Sequence, residues 1–170
     1  MQSIATTVLE HAGWRVRLAR SWRGLCHLSL ADDRDELERH VRRHFEDAVV
    51  VDDAVALRGE AERVAAYLDG ELRAFDLDLD LRGSDFQLRV WHAVRGVAYG
   101  RTATYGEIAR AAGRPGGAHA VGQAVGHSPV ALVVPCHRVV ASGGRIGGYG
   151  GDVGTKRRLL ALEGVPPLRD

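Results

Sequence analysis

Residues 132–140 read Leu132-Val133-Val134-Pro135-Cys136-His137-Arg138-Val139-Val140. Apolar and β-branched side chains enter from both sides, which predicts a buried strand or extended segment. Its centre carries a thiol beside an imidazole. A thiolate is a soft, strong nucleophile, and a nearby base or cation lowers the ordinary thiol pKa of about 8.5. Pro135 stiffens the approach. Neighbours on a regular strand point to opposite faces, so Cys136 and His137 cooperate only if the chain bends there. For the dipeptide alone, a buried structural cysteine beside a satisfied histidine is the simpler reading.

Working outward, Ser142 to Gly154 holds seven glycines and is expected as a loop in which backbone approaches a ligand or takes unusual angles. Asp152 to Glu163 closes the chain as a helix with Leu159, Leu160 and Leu162 inward. Upstream, Ala118 to about Gly126 predicts a short helix stopped before Pro129, after the break Gly113-Arg114-Pro115-Gly116-Gly117. Thr104 with Glu107 and Ser84 with Gln87 are capping-box pairs. They open helices over Tyr105–Ala112 and from Ser84 to about Val94, the latter with Phe86, Val90 and Trp91 on one face. The two short helices around the Gly-containing turn read as a helix-turn-helix.

The first 80 residues are patterned differently. Trp14 to Leu30 predicts two strands around Gly24. Asp33 to Glu46 predicts a helix with Leu37, Val41 and Phe45 spaced by four, and Ala54 to Leu68 a second one ended by Gly70. Phe75, Leu77, Leu79 and Leu81 alternate with Asp76, Asp78 and Asp80, which predicts a half-buried strand with an acidic outer face. The chain is expected to be α+β, with an α/β lobe over 1–80 and a mainly helical lobe over 81–170.

Composition bounds the function. The chain has 170 residues, 45% hydrophobic and 26% charged, a soluble globular balance. Its apolar runs are too short to cross a bilayer, and residues 1–14 do not read as a signal peptide. Two cysteines, Cys26 and Cys136, make a disulfide framework improbable and fit free thiols in a reducing cytoplasm. Residues 1–80 carry 11 Arg against 17 acids, a balance of −6; residues 81–170 carry 11 Arg and Lys156 against five acids, a balance of +7. A basic half beside an acidic one points to a polyanionic partner for the second half.

Val134-Pro135-Cys136-His137-Arg138-Val139-Val140 resembles the active-site signature of the O6-alkylguanine-DNA alkyltransferases. The resemblance continues through Gly83–Trp91, Thr104–Ala109, Ala120-Val121-Gly122, Ser128-Pro129, Gly147–Gly151 and Lys156–Glu163, covering about 81–164. It implies a ribonuclease-H-like first lobe, and DNA repair in which a flipped-out O6-alkylguanine gives its alkyl group irreversibly to Cys136, without a cofactor. His137 would act through a water and be oriented by Glu163. Tyr105 would assist the departing guanine, and Lys156 would lie close to the pocket. Tyr149 and Gly150 would wall the base, Val125 would pack on it, and the carbonyls of Cys136 and Val139 would accept its amino group. Ala120 and Gly122 would approach the backbone of double-stranded DNA in the minor groove, and the protein would act as a monomer.

Two positions depart from the pattern. His119 stands where the family usually has the arginine that fills the gap left by the flipped base, and Ser128 where it often has asparagine. A metal is not expected: Cys26, His27 and the His40/His44 pair are the candidates, and a solvated helix face is the simpler reading of the pair. Rival readings are a non-catalytic damage sensor, whose family members carry tryptophan at the cysteine position, a DNA-binding regulator, and a Cys-His hydrolase, for which no familiar motif is present.

Overall fold

The structure, a computed structural model, describes residues 1–150 and 152–170. Gly151 of the glycine-rich loop lies outside the described residues. The fold is α+β, and the chain divides into two compact units, residues 1–83 with 129–131, and residues 84–128 with 132–170.

In the first unit, β1 (Gln2–His11) and β2 (Trp14–Arg20) form an antiparallel hairpin. Its turn, Ala12-Gly13, holds φ of 50° and 79°, the two positive angles that match the twist of the flanking strands. β3 (Leu25–Ser29) pairs antiparallel with β2, and β4 (Ala48–Asp52) pairs parallel with β1, giving the order β3-β2-β1-β4. Between β3 and β4 lies α1 (Arg34–His44). Asp33 caps it by accepting from Glu36 N; acids fill its first turn and Arg42, Arg43 and His44 its last, matching the helix dipole. Leu37, Val41 and Phe45, at the expected spacing, pack with Ile4, Ala19 and Cys26 as the core. α2 (Arg58–Leu68) starts four residues later than Ala54, with Val64, Tyr67 and Leu68 buried.

The predicted strand over Phe75–Leu81 is corrected. The segment is extended, but its only bridge is Leu25 to Leu79, through Leu25 N to Asp78 O and Asp80 N to Leu25 O, both 2.9 Å. The bridge forms where Gly24 lets backbone come close: a Cβ there would meet Asp78 O at 2.3 Å. Asp80 also breaks the acidic outer face. It turns inward, accepting from Ser21 Oγ at 2.6 Å and from Arg82 Nε at 3.0 Å. β1 and β4 are strands beyond those the sequence predicts. Pro129–Ala131 pair with Leu28 through Leu28 N to Pro129 O, 2.9 Å, and Ala131 N to Leu28 O, 3.0 Å.

In the second unit, both capping boxes form as expected. Ser84 and Gln87 open α3 (Asp85–Arg95), and Thr104 and Glu107 open α4 (Tyr105–Ala111) directly after the short β5 (Ala103–Thr104). α5 (Ala118–Gly126) follows the glycine turn, and Trp91 Nε1 pins α3 to it by donating to Ala124 O at 2.8 Å. The nine residues 132–140 are all buried, yet they form no continuous strand. Leu132 takes a left-handed φ of 68°, Cys136–Arg138 make a single 3-10 turn, and only Val139–Val140 (β6) pair, in parallel with β5. α6 (Val153–Leu162), capped by Asp152, completes the unit. No helix among the described residues is long and apolar enough to cross a membrane.

Candidate active site

The 3-10 turn supplies the bend that cooperation between Cys136 and His137 requires. It is closed by Arg138 N donating to Pro135 O at 2.9 Å and by Val139 N donating to Cys136 O. Cys136 is 7% exposed and is a free cysteine. Burial pushes its thiol up to about 11, opposed by a hydrogen bond from Ser128 and by the positive charge of Lys156. Ser128 Oγ is buried near the sulfur, where its hydroxyl favours the thiolate.

His137 is fully buried and meets Glu163 through Nε2 and Oε2 at 2.7 Å. A neutral imidazole that donates Nε2–H to a carboxylate keeps its lone pair on Nδ1, the form a base needs. Burial lowers the His137 pKa; Glu163 pulls it up, and Arg138 and Lys156 push it down. The sequence reading missed how much else Glu163 holds. Arg138 grips both oxygens, Nε to Oε1 at 2.8 Å and Nη2 to Oε2 at 2.9 Å, and Gly100 N donates to Oε1 at 3.1 Å. Arg138 also donates to Val97 O at 2.7 Å and lies over the Tyr99 ring. A buried carboxylate held by one bidentate guanidinium, an imidazole and an amide is fixed in place and charge-balanced. The missed signal was positional: Arg138 sits in the same buried apolar run as the cysteine, where a cation needs a partner.

Helix geometry explains why Lys156 and Glu163 serve one site. They are seven residues apart on α6, two turns, and share its inward face with Leu159 and Leu160. Lys156 is fully buried, and its ammonium donates to Val139 O at 2.6 Å and Gly148 O at 3.0 Å. Burial lowers it to about 8, with Cys136 pulling the other way. The Val139 carbonyl therefore has one lone pair engaged by Lys156, and the Cys136 carbonyl one engaged by Val139 N–H.

Tyr105, the first residue of α4, stands between α5 and the glycine loop. Its hydroxyl donates to Gly148 O at 3.4 Å. A Cβ at Gly122 would lie 3.9 Å from its ring, and one at Gly147, where φ is 73°, would lie 3.2 Å from its hydroxyl and from Ala141 N. Gly147 therefore needs to be glycine for both its angle and its closeness to Tyr105. Tyr149 is half-buried, its phenol pushed up by burial first and then by the facing Cys136.

Cys136, His137, Glu163, Lys156, Tyr105, Tyr149, Ser128 and Val139 thus form one connected neighbourhood. Gly150 is exposed at φ 53°, next to Tyr149. Val125 and Ala120 are half-buried on α5. His119 is exposed on α5, with Nε2 at 3.4 Å from Gln123 Nε2. Among the described residues, no group of three or more His, Cys, Asp or Glu side chains is placed to hold a metal ion. Chemically, the site combines a buried thiol, a base on a fixed carboxylate, one ammonium and one phenol, beside a loop of bare backbone.

Residues 85–165 match the family model described as 6-O-methylguanine DNA methyltransferase, DNA binding domain. A methylated-DNA–protein-cysteine methyltransferase of Mycolicibacterium paratuberculosis is 56% identical over 108 residues, 64% of this chain and 66% of that protein. The solved structure of the Mycobacterium tuberculosis O6-methylguanine methyltransferase matches 96% of this chain and 95% of its own, at TM-score 0.79 and 39% identity. A second structure of the M. tuberculosis protein, in complex with DNA, matches 95% of this chain and 92% of its own, at TM-score 0.77 and 38% identity.

Proposed function

This chain belongs to the methylated-DNA–protein-cysteine methyltransferase family, and on that footing we propose that it repairs DNA by moving the alkyl group of O6-alkylguanine onto Cys136, once per molecule. The sulfur attacks the alkyl carbon, a C–S bond forms and the C–O6 bond breaks. The electron pair of the broken bond leaves with guanine, and the proton of the thiol ends on that base. A thioether has no good leaving group, so the protein is spent. Nucleophile, base and proton path all come from this chain, and no redox step is involved.

The observation that carries the reading is the buried His137–Glu163 pair, 2.7 Å apart, immediately following a buried thiol. A damage sensor that only binds has no use for a base fixed by a buried, doubly bonded carboxylate. Burial raises the thiol to about 11 and lowers His137, which favours neutral thiol and imidazole over a standing thiolate–imidazolium pair. Proton removal is therefore coupled to departure of the guanine, which takes the proton up through Tyr105. Lys156 supplies a positive field at the sulfur and holds Gly148 and Val139 in place.

The M. tuberculosis relative's structure in complex with DNA supports DNA as the partner, and in our reading that DNA is double-stranded. In our reading, α4 and α5 act as a helix-turn-helix whose small residues Ala120 and Gly122 enter the minor groove. His119 stands at the gap left by the flipped base, and Val125, Tyr149 and Gly150 surround that base. The first unit is the ribonuclease-H-like lobe, and the protein works as a monomer in the cytoplasm. The test is loss of O6-methylguanine from a duplex oligonucleotide. The wild-type chain removes adduct up to its own molar amount, and Cys136→Ser removes none. Removal by the variant, or removal beyond one equivalent by the wild type, overturns the reading.

A further inference from the structure

The glycine loop beside Cys136 has little stiffness of its own. Gly143, Gly144, Gly147 and Gly150 all hold φ between 53° and 75°, and glycine loses more freedom on ordering than any other residue. Something outside the loop must hold it. The described structure contains a holder, the segment Val165–Asp170, for which the alkyl-transfer reading has no use.

This segment pairs with the loop by backbone. Ile146 N donates to Arg169 O at 2.7 Å, Arg169 N donates to Gly144 O at 3.0 Å, and Arg145 and Arg169 form a parallel bridge. The Arg169 guanidinium adds a bond to Gly143 O. The segment is itself held from α6: Arg157 donates to Leu168 O at 2.9 Å and pairs with Asp170. Ile146, only 3% exposed, is driven into an apolar recess with Leu160, Val165 and Leu168. Pro166 and Pro167 limit the freedom of the segment when released, which favours the docked form. At its other end the loop meets the site: Ala141 N donates to Arg145 O at 3.1 Å, Gly147 touches Tyr105, and Gly148 O accepts from Lys156 and Tyr105.

We propose that Val165–Asp170 is a latch that fixes the glycine loop over the acceptor cysteine, with Arg157 and Arg169 as its positioning residues, and that the closed latch selects for small alkyl groups. The selection rests on the alkyl-transfer reading; the latch itself does not. A loop held against Tyr105 keeps Tyr149 and the Gly148 carbonyl in register for a methyl adduct. On this proposal the same closure crowds a bulky one. Releasing it costs positioning for the small adduct and relieves crowding for the large one.

The test compares the wild type with Arg157→Ala/Arg169→Ala, and with Arg169→Gln in case the double variant folds poorly. Two quantities are read: amide hydrogen exchange at Ile146 through Tyr149, and single-turnover transfer from duplexes carrying O6-methylguanine or O6-benzylguanine. In the variants, exchange is expected to accelerate and the benzyl-to-methyl rate ratio to rise roughly tenfold, the scale of about one lost hydrogen bond. Arg157→Lys, which keeps a donor for Leu168 O, is expected to restore both. Faster exchange with an unchanged ratio overturns the selection, and unchanged exchange overturns the latch. If the wild type transfers neither group, the alkyl-transfer reading fails. Labelling of Cys136 by a small and a bulky maleimide then decides the latch: a bulky-to-small ratio raised in the variants supports it, and an unchanged ratio overturns it.

Discussion

A thiol held near 11 is protonated in all but about one molecule in ten thousand at pH 7. The thiolate, once formed, is correspondingly stronger, about tenfold by the usual dependence of nucleophilicity on thiol basicity. Burial thus exchanges readiness for strength, which suits a nucleophile used once. The rate of iodoacetamide alkylation at Cys136 is expected to be still rising with pH at about pH 9. Ser128→Ala is expected to move that profile to higher pH, because the hydrogen bond that opposes burial is gone. A plateau below about pH 8 in the wild type would contradict the assignment. At position 119 the prediction concerns DNA rather than the thiol. His119→Arg, with a longer side chain and a fixed charge, is expected to speed repair of duplex DNA several-fold while leaving reaction with free O6-benzylguanine unchanged. Equal rates on duplex DNA for the two proteins would make His119 a bystander. Cys136, His137 and Glu163 were legible because they sit at set positions in recognisable strings. The grip of Arg138 on Glu163 was not, because it joins residues 25 apart and depends on a turn that no local pattern announces.

Among the elements, those with a local mechanism were the legible ones. Both capping boxes, the Leu37-Val41-Phe45 stripe and the glycine turn before α5 are specified by side chains within one or two helical turns. The Phe75–Leu81 alternation misled because a strand needs a partner edge, and here the extended segment touches β3 at a single glycine. β1 was missed for the converse reason: its buried Thr6 reads as polar, yet its hydroxyl is satisfied by Leu18 O at 2.8 Å. The β3–α1 packing carries a pH prediction. His27 is 2% exposed, its ring lies 5.9 Å from that of His40, and neither ring nitrogen has a hydrogen-bond partner among the described residues. Burial, then His40 and Arg17, lower its pKa from 6.5 to about 4, with Asp33 opposing. A lowered histidine pKa means that the unfolded chain binds more protons. Stability is therefore full above about pH 6.5 and declines as pH falls toward 4, by about 3 kcal/mol for this residue. Thermal unfolding of the wild type is expected to drop steeply between pH 6.5 and 4.5, and His27→Leu to flatten that slope. Identical slopes for the two would show that His27 does not set the acid limit.

For the whole molecule, charge and chemistry divide along the chain. The half with balance +7 carries the reactive thiol, and the half with balance −6 carries the four-stranded sheet. Composition made that asymmetry visible. It could not show that Pro129–Ala131, between α5 and the cysteine, pair with β3 of the first unit, since a three-residue bridge leaves no periodicity to read. The two free thiols provide an internal control for the central claim. Cys26 is fully buried, and burial first, then the charge of Asp80, pushes it up to about 12. Cys136 alone has the His137–Glu163 pair beside it. The decisive measurement is therefore peptide mass mapping after incubation with excess duplex DNA carrying O6-methylguanine. One methyl group per chain, located on Cys136 and absent in Cys136→Ala, is the predicted result. Methyl on Cys26, more than one equivalent of repaired guanine per chain, or an unmodified Cys136 beside repaired DNA would contradict it.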